Sequence, residues 1–158
     1  MKIGVISDTH GEVQSTQCAL RIFDSMGVDL TIHCGDIGQE IPSLFNGRHV
    51  HFVCGNTDDA DCLRKAVTCP THTIHDEFGE LELDGRRVAF LHGDDVKRLQ
   101  QAIHSGQWDL VCYGHSHAFS NKHEGQTVAL NPGALARTSH PSVAVVDLPS
   151  LEVTWVPV

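Results

Sequence analysis

Apolar and polar residues alternate along the first half of the chain as strands and helices do when they follow one another. Short apolar runs over residues 3–6, 30–34 and 49–54 are predicted to form strands. Residues 12–26 repeat apolar side chains at helical spacing, and Gly27 is a typical helix stop. The chain is therefore expected to open with a strand followed by a helix.

The second half changes to shorter apolar runs separated by turn residues, a pattern typical of antiparallel strands. We expect turns at Gly79 and at Asp84–Gly85, and a helix over residues 94–104 that stops at Gly106. This order predicts two packed sheets flanked by helices rather than one doubly wound sheet. The other predicted elements are a loop or short helix at 42–47, a helix at 58–67, and strands at 71–78, 80–83, 87–91, 109–113, 118–123, 127–130, 143–148 and 152–156.

Length and composition are those of an ordinary globular protein. A chain of 158 residues, 41% hydrophobic and 20% charged, predicts a single domain over residues 1–158. The six cysteines contain no Cys-x-x-Cys pair, which argues against a structural zinc site and favours a reduced, cytoplasmic setting. Asp8 interrupts the apolar N-terminal run, so no signal peptide is expected, and no run is long enough for a membrane span.

The excess of acidic over basic residues restricts the classes of partner that the chain is expected to bind. Twenty acidic and eleven basic residues give a formal net charge of −9, which argues against binding to nucleic-acid polymers or to anionic membranes. Bound divalent cations would offset part of this charge, so a small phosphate ester is a compatible ligand. A homo-oligomer is also compatible with the sequence.

Five short motifs of Asp, His and Asn each follow a predicted strand. Because strand ends can bring residues that are distant in sequence to one point, these side chains are expected to meet and to bind metal. In extended backbone, side chains two residues apart point to the same side, so Asp8 with His10 and His115 with His117 would each form a pair of ligands. The motifs are Asp8-Thr9-His10, Gly35-Asp36, Gly55-Asn56, His92-Gly93 and Gly114-His115-Ser116-His117.

The chemistry of these side chains favours a two-metal site. A carboxylate can join two cations because each of its oxygens can bind one ion, and Asp36 is the candidate for this bridge. Imidazole nitrogens, carboxylates and one amide oxygen suit manganese, iron, zinc or nickel better than calcium or magnesium. Each motif alone is also typical of a turn or of a hydrogen-bonding residue, and it is their joint occurrence that favours a metallohydrolase.

This succession of motifs resembles the calcineurin-like metallophosphoesterase superfamily, and most of all its small single-domain prokaryotic phosphodiesterase branch. The later stretch Asn131-Pro132-Gly133 is similar to a turn of that branch. The resemblance covers nearly the whole chain. It implies a four-layer α/β/β/α sandwich of two mixed β-sheets flanked by helices.

The resemblance also implies a ligand set and a mechanism. The ions would be two divalent transition metals, with manganese preferred over iron, zinc, nickel or cobalt. A hydroxide that bridges them would attack the phosphorus of a small phosphate ester in line with the leaving oxygen. Asp36, Asn56 and His92 are expected to contribute to catalysis as well as to metal binding. One ion would be held by Asp8, His10, Asp36 and His117, and the other by Asp36, Asn56, His92 and His115.

Two positions depart from the pattern of the superfamily and leave the leaving-group acid unassigned. Many members carry a histidine where Thr57 stands, and its absence is typical of the phosphodiesterase branch. Asp94 stands where a further histidine is frequent, and we expect it to cap the following helix or to support a ligand histidine from behind. His75 and His123 are candidates for proximity to the metals. Arg137 is a candidate for phosphate contact, although a solvated loop arginine is the plainer interpretation.

Two other functions are alternatives to a phosphodiesterase. A phosphomonoesterase of the same fold would use the same metals, and the missing histidine favours diesters over monoesters. A binding scaffold without catalytic function, similar to the retromer subunit that resembles these enzymes, is the second alternative. That subunit departs at the Gly-Asp motif, whereas Asp36 is present here, which favours an enzyme.

Overall fold

Eleven β-strands form two mixed sheets, with three α-helices packed outside them, in a computed structural model that describes all 158 residues. The strands are β1 (Lys2–Ile6), β2 (Leu30–His33), β3 (Val50–Phe52), β4 (His72–Ile74), β5 (Phe78–Leu83), β6 (Arg86–Leu91), β7 (Leu110–Cys112), β8 (Ser120–Glu124), β9 (Thr127–Asn131), β10 (Ser142–Asp147) and β11 (Glu152–Pro157). The helices are α1 (Val13–Met26), α2 (Ala60–Ala66) and α3 (Val96–His104), together with a 3₁₀ helix at Pro42–Phe45.

Each sheet is built around parallel strands. The first sheet has the order β11-β10-β1-β2-β3-β4, in which β1 to β4 are parallel, β10 is antiparallel to β1, and β11 is antiparallel to β10. The second has the order β5-β6-β7-β9-β8, in which β6, β7 and β9 are parallel. Within each sheet, the carboxyl ends of these central strands therefore lie at the same edge.

Three apolar clusters separate the layers and confirm the predicted α/β/β/α sandwich. Val5 of β1 and Phe90 of β6 belong to the cluster between the two sheets. Ile6 of β1 joins the cluster beneath α1, which includes Phe23. The third cluster packs Leu99 of α3 against the second sheet. Successive residues of β1 thus point to opposite, equally buried faces, as expected for a strand covered on both sides.

The helices start and stop at residues that satisfy free backbone groups. The α1 helix ends at Gly27, which adopts the predicted left-handed conformation with φ 68°. The side chains of Asp59 and Asp95 accept hydrogen bonds from backbone N–H groups at the start of α2 and α3. The expectation that Asp94 caps α3 is therefore wrong by one residue. None of the helices combines the length and the apolar character that a membrane crossing needs.

The predicted elements are present with boundaries shifted in either direction, apart from one misplaced turn. Gly79 was expected in a turn but lies within β5, where a Cβ would overlap the ring of Phe90. This glycine is required by close packing rather than by a turn. The turn before β5 instead contains Asp76, with φ 54°. The turn predicted at Asp84–Gly85 connects β5 and β6.

Candidate metal centre

All seven predicted ligands lie at the carboxyl ends of central parallel strands, and both sheets contribute. Asp8, Asp36 and His92 are buried. Asn56 and His115 are exposed, so the site opens to solvent on their side. The loops after β1, β2 and β3 carry Asp8, His10, Asp36 and Asn56, and the loops after β6 and β7 carry His92, His115 and His117.

The first group of donor atoms surrounds Asp8. Its Oδ1 lies 3.1 Å from Nε2 of His117 and 3.9 Å from Nε2 of His10. The same His10 nitrogen is 3.6 Å from Oδ2 of Asp36. Oδ1 of Asp8 and Nε2 of His10 are buried, yet neither has a hydrogen-bond partner. Burying unpaired polar atoms is costly, and a cation placed among them would satisfy both.

The second group surrounds His92. Its Nδ1 is 2.8 Å from the carbonyl oxygen of Cys34, to which it donates, so Nε2 points into the site. Nε2 lies 3.1 Å from Oδ1 of Asn56, 3.3 Å from Nδ1 of His115 and 3.4 Å from Oδ2 of Asp36. Such a cluster of lone-pair-bearing atoms requires a proton or a metal cation among them.

Asp36 joins the two groups through one oxygen. Its Oδ2 faces Nε2 of both His10 and His92. Its Oδ1 accepts a hydrogen bond from the backbone N–H of Thr57 at 3.0 Å. We expected each carboxylate oxygen to serve one ion, but the geometry places a single oxygen between the groups and holds the other to the backbone.

The protonation of the site follows from burial and hydrogen bonds. Burial lowers the pKa of the His10 imidazole, the Asp36 carboxylate opposes this, and the Arg137 guanidinium reinforces it. Burial also acts to lower the pKa of His92, but its hydrogen bonds to Asp36 and to the Cys34 carbonyl outweigh burial and raise it. Burial acts to raise the pKa of Asp36, yet the hydrogen bond from His92 and one from the backbone bring it below its usual range. A metal ion would therefore have to displace a proton held between His92 and Asp36.

Most of the predicted ligands adopt the left-handed backbone conformation, which is rare outside glycine and clusters at functional sites. The expectation that both histidine-containing pairs lie in extended backbone is therefore wrong. The two histidines after β7 do not form one pair of ligands, because His115 faces His92 whereas His117 faces Asp8. The left-handed residues are Asp8 (φ 54°), His10 (φ 43°), Asp36 (φ 52°), His115 (φ 68°) and His117 (φ 57°).

His33 fixes the loop after β1 to the loop after β2. Its Nε2 is 2.9 Å from the hydroxyl of Thr9, and that hydroxyl donates to the carbonyl of Ile37 at 2.7 Å. The Nδ1 of His33 accepts a hydrogen bond from the N–H of Gly35. Burial lowers the pKa of His33 to about 3, so the ring is neutral near pH 7 and Nε2 carries its hydrogen.

Other polar side chains extend this support behind the predicted ligands. Asp58 accepts hydrogen bonds from three backbone N–H groups in the loops after β2 and β3. The hydroxyl of Ser7 donates to Oδ2 of Asp8 at 2.6 Å, and the Asn131 amide donates to the carbonyl of Gly114 at 2.8 Å. Sequence reasoning missed these roles, because the bonds join loops that are distant in sequence. The one available signal was a polar residue next to or near each motif.

Two glycines are required by the close approach of neighbouring loops. A Cβ at Gly114 would lie 2.6 Å from Oδ2 of Asp8, and a Cβ at Gly55 would overlap Asp36. Neither glycine has a positive φ. Gly55 therefore serves to leave space for the neighbouring Asp36 carboxylate, not to allow a left-handed backbone turn.

A cleft of about 590 Å³ extends from the side of Asn56 and His92 towards α2 and α3. His75, which the sequence singled out, lines this cleft together with Arg64 and Arg98. The volume is that of a site for a small organic ligand. The cleft therefore gives the candidate centre an adjoining space for more than a phosphate group.

The other residues that the sequence singled out occupy different surroundings. His123 lies on the exposed strand β8 and does not line the cleft. Asp94 is exposed and lines the cleft. Arg137 is exposed and close enough to influence the pKa of His10.

The residues present fit a metal centre. Two overlapping sets have donor atoms that all lie within 4.8 Å of one another, namely Asp8, His10 and His117, and Asp8, Asp36 and His92. Imidazole and carboxylate donors of this kind suit transition metals. Together with the unpaired buried atoms, they make this edge of the sandwich the best candidate for a metal site.

Known proteins share this sequence pattern. The model of the calcineurin-like phosphoesterase superfamily domain matches residues 1–150. A phosphodiesterase of Methanocaldococcus jannaschii is 30% identical over 154 residues, covering 93% of this chain and 93% of the relative. A probable metallophosphoesterase of Methanothermobacter thermautotrophicus is 30% identical over 158 residues, covering 94% of this chain and 86% of the relative.

Solved structures share the fold. An archaeal phosphodiesterase superposes with a TM-score of 0.91 at 29% identity, and the match covers 100% of both chains. The phosphoesterase YfcE of E. coli superposes with a TM-score of 0.73 at 19% identity, covering 99% of this chain and 98% of the other. Zinc-complexed Vps29 of Entamoeba histolytica superposes with a TM-score of 0.69 at 19% identity, covering 100% of this chain and 98% of the other. The matches to YfcE and to Vps29, both at 19% identity, show only that the fold is shared.

Proposed function

The chain belongs to the calcineurin-like phosphoesterase superfamily, and from this membership and the geometry of the site we propose that it is a dinuclear metal-dependent phosphodiesterase for small phosphate esters. One observation carries the proposal. Two groups of nitrogen and oxygen donors, each short of a proton or a cation, share Oδ2 of Asp36. Such sharing is what a two-metal hydrolytic site requires.

Each group would hold one divalent ion. Manganese is the metal we favour, with iron, zinc, nickel and cobalt as alternatives, because mixed imidazole, carboxylate and amide donors suit all of them. When bound, the ions would lower the pKa of a water molecule and neutralise charge on the phosphoryl oxygens. The proposed ligands are Asp8, His10, Asp36 and His117 for one ion, and Asp36, Asn56, His92 and His115 for the other.

Contacts within the chain hold the proposed ligands in position and leave one side of the site open to the substrate. Asn56 and His115 form the exposed side of the site, from which a phosphate ester would approach. The bond from Nδ1 of His92 to a backbone carbonyl keeps its Nε2 directed at the site. Asp36 is held in place by Thr57 through the oxygen that does not face the two groups. Asp36, Asn56 and His92 are therefore the residues to which we assign catalysis.

The absence of a histidine at Thr57, directly after Asn56, favours a diester over a monoester, as the resemblance to the phosphodiesterase branch implies. The cleft of about 590 Å³ has room for the organic group of a small ester. No comparable observation favours a phosphomonoesterase. The complete donor set likewise supports an enzyme rather than a binding scaffold.

The proposal is tested with purified protein that has been stripped of metal and reloaded with Mn²⁺. We expect hydrolysis of bis(4-nitrophenyl) phosphate, faster than hydrolysis of 4-nitrophenyl phosphate at equal concentration, and loss of both with EDTA. Elemental analysis should find two manganese ions per chain. Absence of turnover with Mn²⁺, Ni²⁺, Co²⁺ and Zn²⁺ alike would contradict the catalytic proposal, and a preference for the monoester would contradict the diester assignment.

A further inference from the structure

His75 occupies the place after β4 that proposed ligands occupy after the neighbouring parallel strands. It follows β4 directly, and β4 runs parallel to β3 with Ile74 paired to Phe52. The loop after β3 leads to Asn56, and both Asn56 and His75 line the cleft. The topology thus brings an imidazole that is not a proposed ligand to the wall of the space beside the metal centre.

Apart from His75, the cleft has few groups that could stabilise a developing negative charge. Its two arginines are already paired, Arg64 with Asp76, and Arg98 with Glu77 at 3.1 Å. A leaving group that becomes an anion here would face carboxylates, so a neutral hydrogen-bond donor would have a large effect. The carboxylates that line the cleft are Asp58, Asp76, Glu77, Asp94 and Asp95.

Two contacts hold the His75 ring. Its Nε2 lies 2.8 Å from Nδ1 of His51, and its ring packs on Phe90 with centroids 5.1 Å apart at an angle of 81°. Its Nδ1 has no partner in the chain and is not a buried atom, so it is open to solvent. One ring nitrogen is therefore anchored, and the other is free to meet a ligand.

Both histidines of this pair are neutral near pH 7. Burial lowers the pKa of the His75 imidazole, against an opposing effect of Asp76. Burial, reinforced by His75 and His49, lowers the pKa of His51 to about 4. When Nδ1 of His51 donates to Nε2 of His75, the hydrogen of His75 lies on its free Nδ1.

We infer that His75 donates a hydrogen bond from Nδ1 to the leaving oxygen of a diester whose departing group lies in the cleft, an inference that rests on the proposed phosphodiesterase function. As the oxygen of the attacking water bonds to phosphorus, the P–O bond to the leaving group breaks and its oxygen keeps the electron pair. The hydrogen bond stabilises that charge. The water releases its proton to solvent and the departing alcohol takes one from solvent, so His75 keeps its own.

The test compares His75→Phe with the wild type on symmetric diesters whose leaving groups become poorer. Bis(4-nitrophenyl), bis(4-chlorophenyl) and diphenyl phosphate are measured with manganese-loaded protein. Phenylalanine keeps the packing on Phe90 but has no N–H. We expect kcat/KM to fall about threefold on the nitrophenyl diester and about 100-fold on diphenyl phosphate, because a poorer leaving group carries more charge in the transition state. His75→Asn, which retains an N–H donor, should recover part of the loss.

The control variant is His123→Phe, which replaces an exposed histidine of β8 outside the cleft and should keep the leaving-group dependence of the wild type. Equal losses of His75→Phe on all three diesters, no loss on any, or a reduced manganese content would each overturn the role of His75 while the phosphodiesterase function stands. A wild type that cleaves none of the diesters would overturn the proposed function, and the inference with it.

Discussion

Single residues of the candidate centre hold backbone conformations that their side chains do not favour. Nine residues other than glycine have a positive φ, and five of them are proposed metal ligands. Each such conformation costs on the order of 1–3 kcal/mol and persists only where surrounding contacts impose it. Replacing one of these ligands is therefore expected to impair function much more than folding.

Asp36→Ala is the sharpest test of this expectation. Because Oδ2 of Asp36 faces both donor groups, its removal should abolish binding of both ions and lower kcat/KM by at least about 100-fold. Circular dichroism should show an unchanged fold, and elemental analysis should find no bound manganese. The matched control is Asp61→Ala on the exposed side of α2, which should keep full metal content. Two ions bound to an active Asp36→Ala protein would refute the bridging role.

Gly114→Ala tests the close approach of the loops after β1 and β7. The added methyl group would overlap the Ser7 hydroxyl, which donates to Asp8, and would lie 2.6 Å from Oδ2 of Asp8. Both side chains must move, so metal affinity should fall about 10-fold or more. Calorimetric titration with Mn²⁺ measures this change. Gly125→Ala, in an exposed hairpin with φ 64°, should lower stability through backbone strain but leave the affinity unchanged. Similar affinities for the wild type and Gly114→Ala would argue against this placement of Asp8.

At the scale of secondary-structure elements, the loops of the centre depend on buried polar links between neighbouring strands. His33 at the end of β2 forms hydrogen bonds with the Thr9 hydroxyl and the Gly35 N–H, and that hydroxyl donates in turn to the carbonyl of Ile37. Nδ1 of His33 can accept the hydrogen bond from Gly35 only when the ring is neutral. The stability of the strand ends therefore depends on the protonation of His33.

The pH dependence of unfolding tests this link in metal-free protein. The pKa of His33 is lowered from 6.5 to about 3 by burial, so the unfolded chain binds a proton at this residue that the folded chain rejects. The stability that the neutral His33 contributes is fully present above pH 6.5 and is lost as the pH falls towards 3. At pH 5, about 2 kcal/mol of the free energy of unfolding has been lost. In urea titrations, His33→Gln should lose less stability between pH 7 and pH 5 than the wild type, by about this amount. Equal losses would exclude a neutral, buried His33.

The pattern of apolar residues predicted most elements because each strand and helix buries a face of the expected period. Gly79 was misplaced, since its role depends on Phe90 of the neighbouring strand, which no local pattern contains. The candidate donor residues could be selected from the sequence because metal chemistry restricts the residue types that bind metal. The left-handed backbone at Asp8 and the link through His33 could not be predicted, because both arise from contacts between loops that only the folded chain brings together.

At the scale of the whole molecule, the candidate metal centre lies where loops from the two sheets meet. Asp8 and Asp36 follow strands of the first sheet, whereas His92 and His117 follow strands of the second. Bound ions would link these halves across the apolar cluster between the sheets and would offset part of the net charge of −9. Metal binding should therefore stabilise the whole sandwich.

Thermal unfolding measures this stabilisation. At a free Mn²⁺ concentration 100 times the dissociation constant, each ion should add about 2.7 kcal/mol to the free energy of unfolding. For a chain of this size, that corresponds to a rise in Tm of roughly 5–10 °C per ion. EDTA should reverse the rise. An equal shift in Asp36→Ala would mean that the ion acts elsewhere on the molecule.

The assembly of the centre from both sheets has a consequence for how the protein matures. No stretch of the newly made chain contains a complete donor set until residue 117 has emerged and the second sheet has docked on the first. Under the proposed function, uptake of both ions would follow docking of the two sheets, because the first sheet alone supplies only Asp8, His10, Asp36 and Asn56. A fully metal-loaded protein would therefore be a completely folded one.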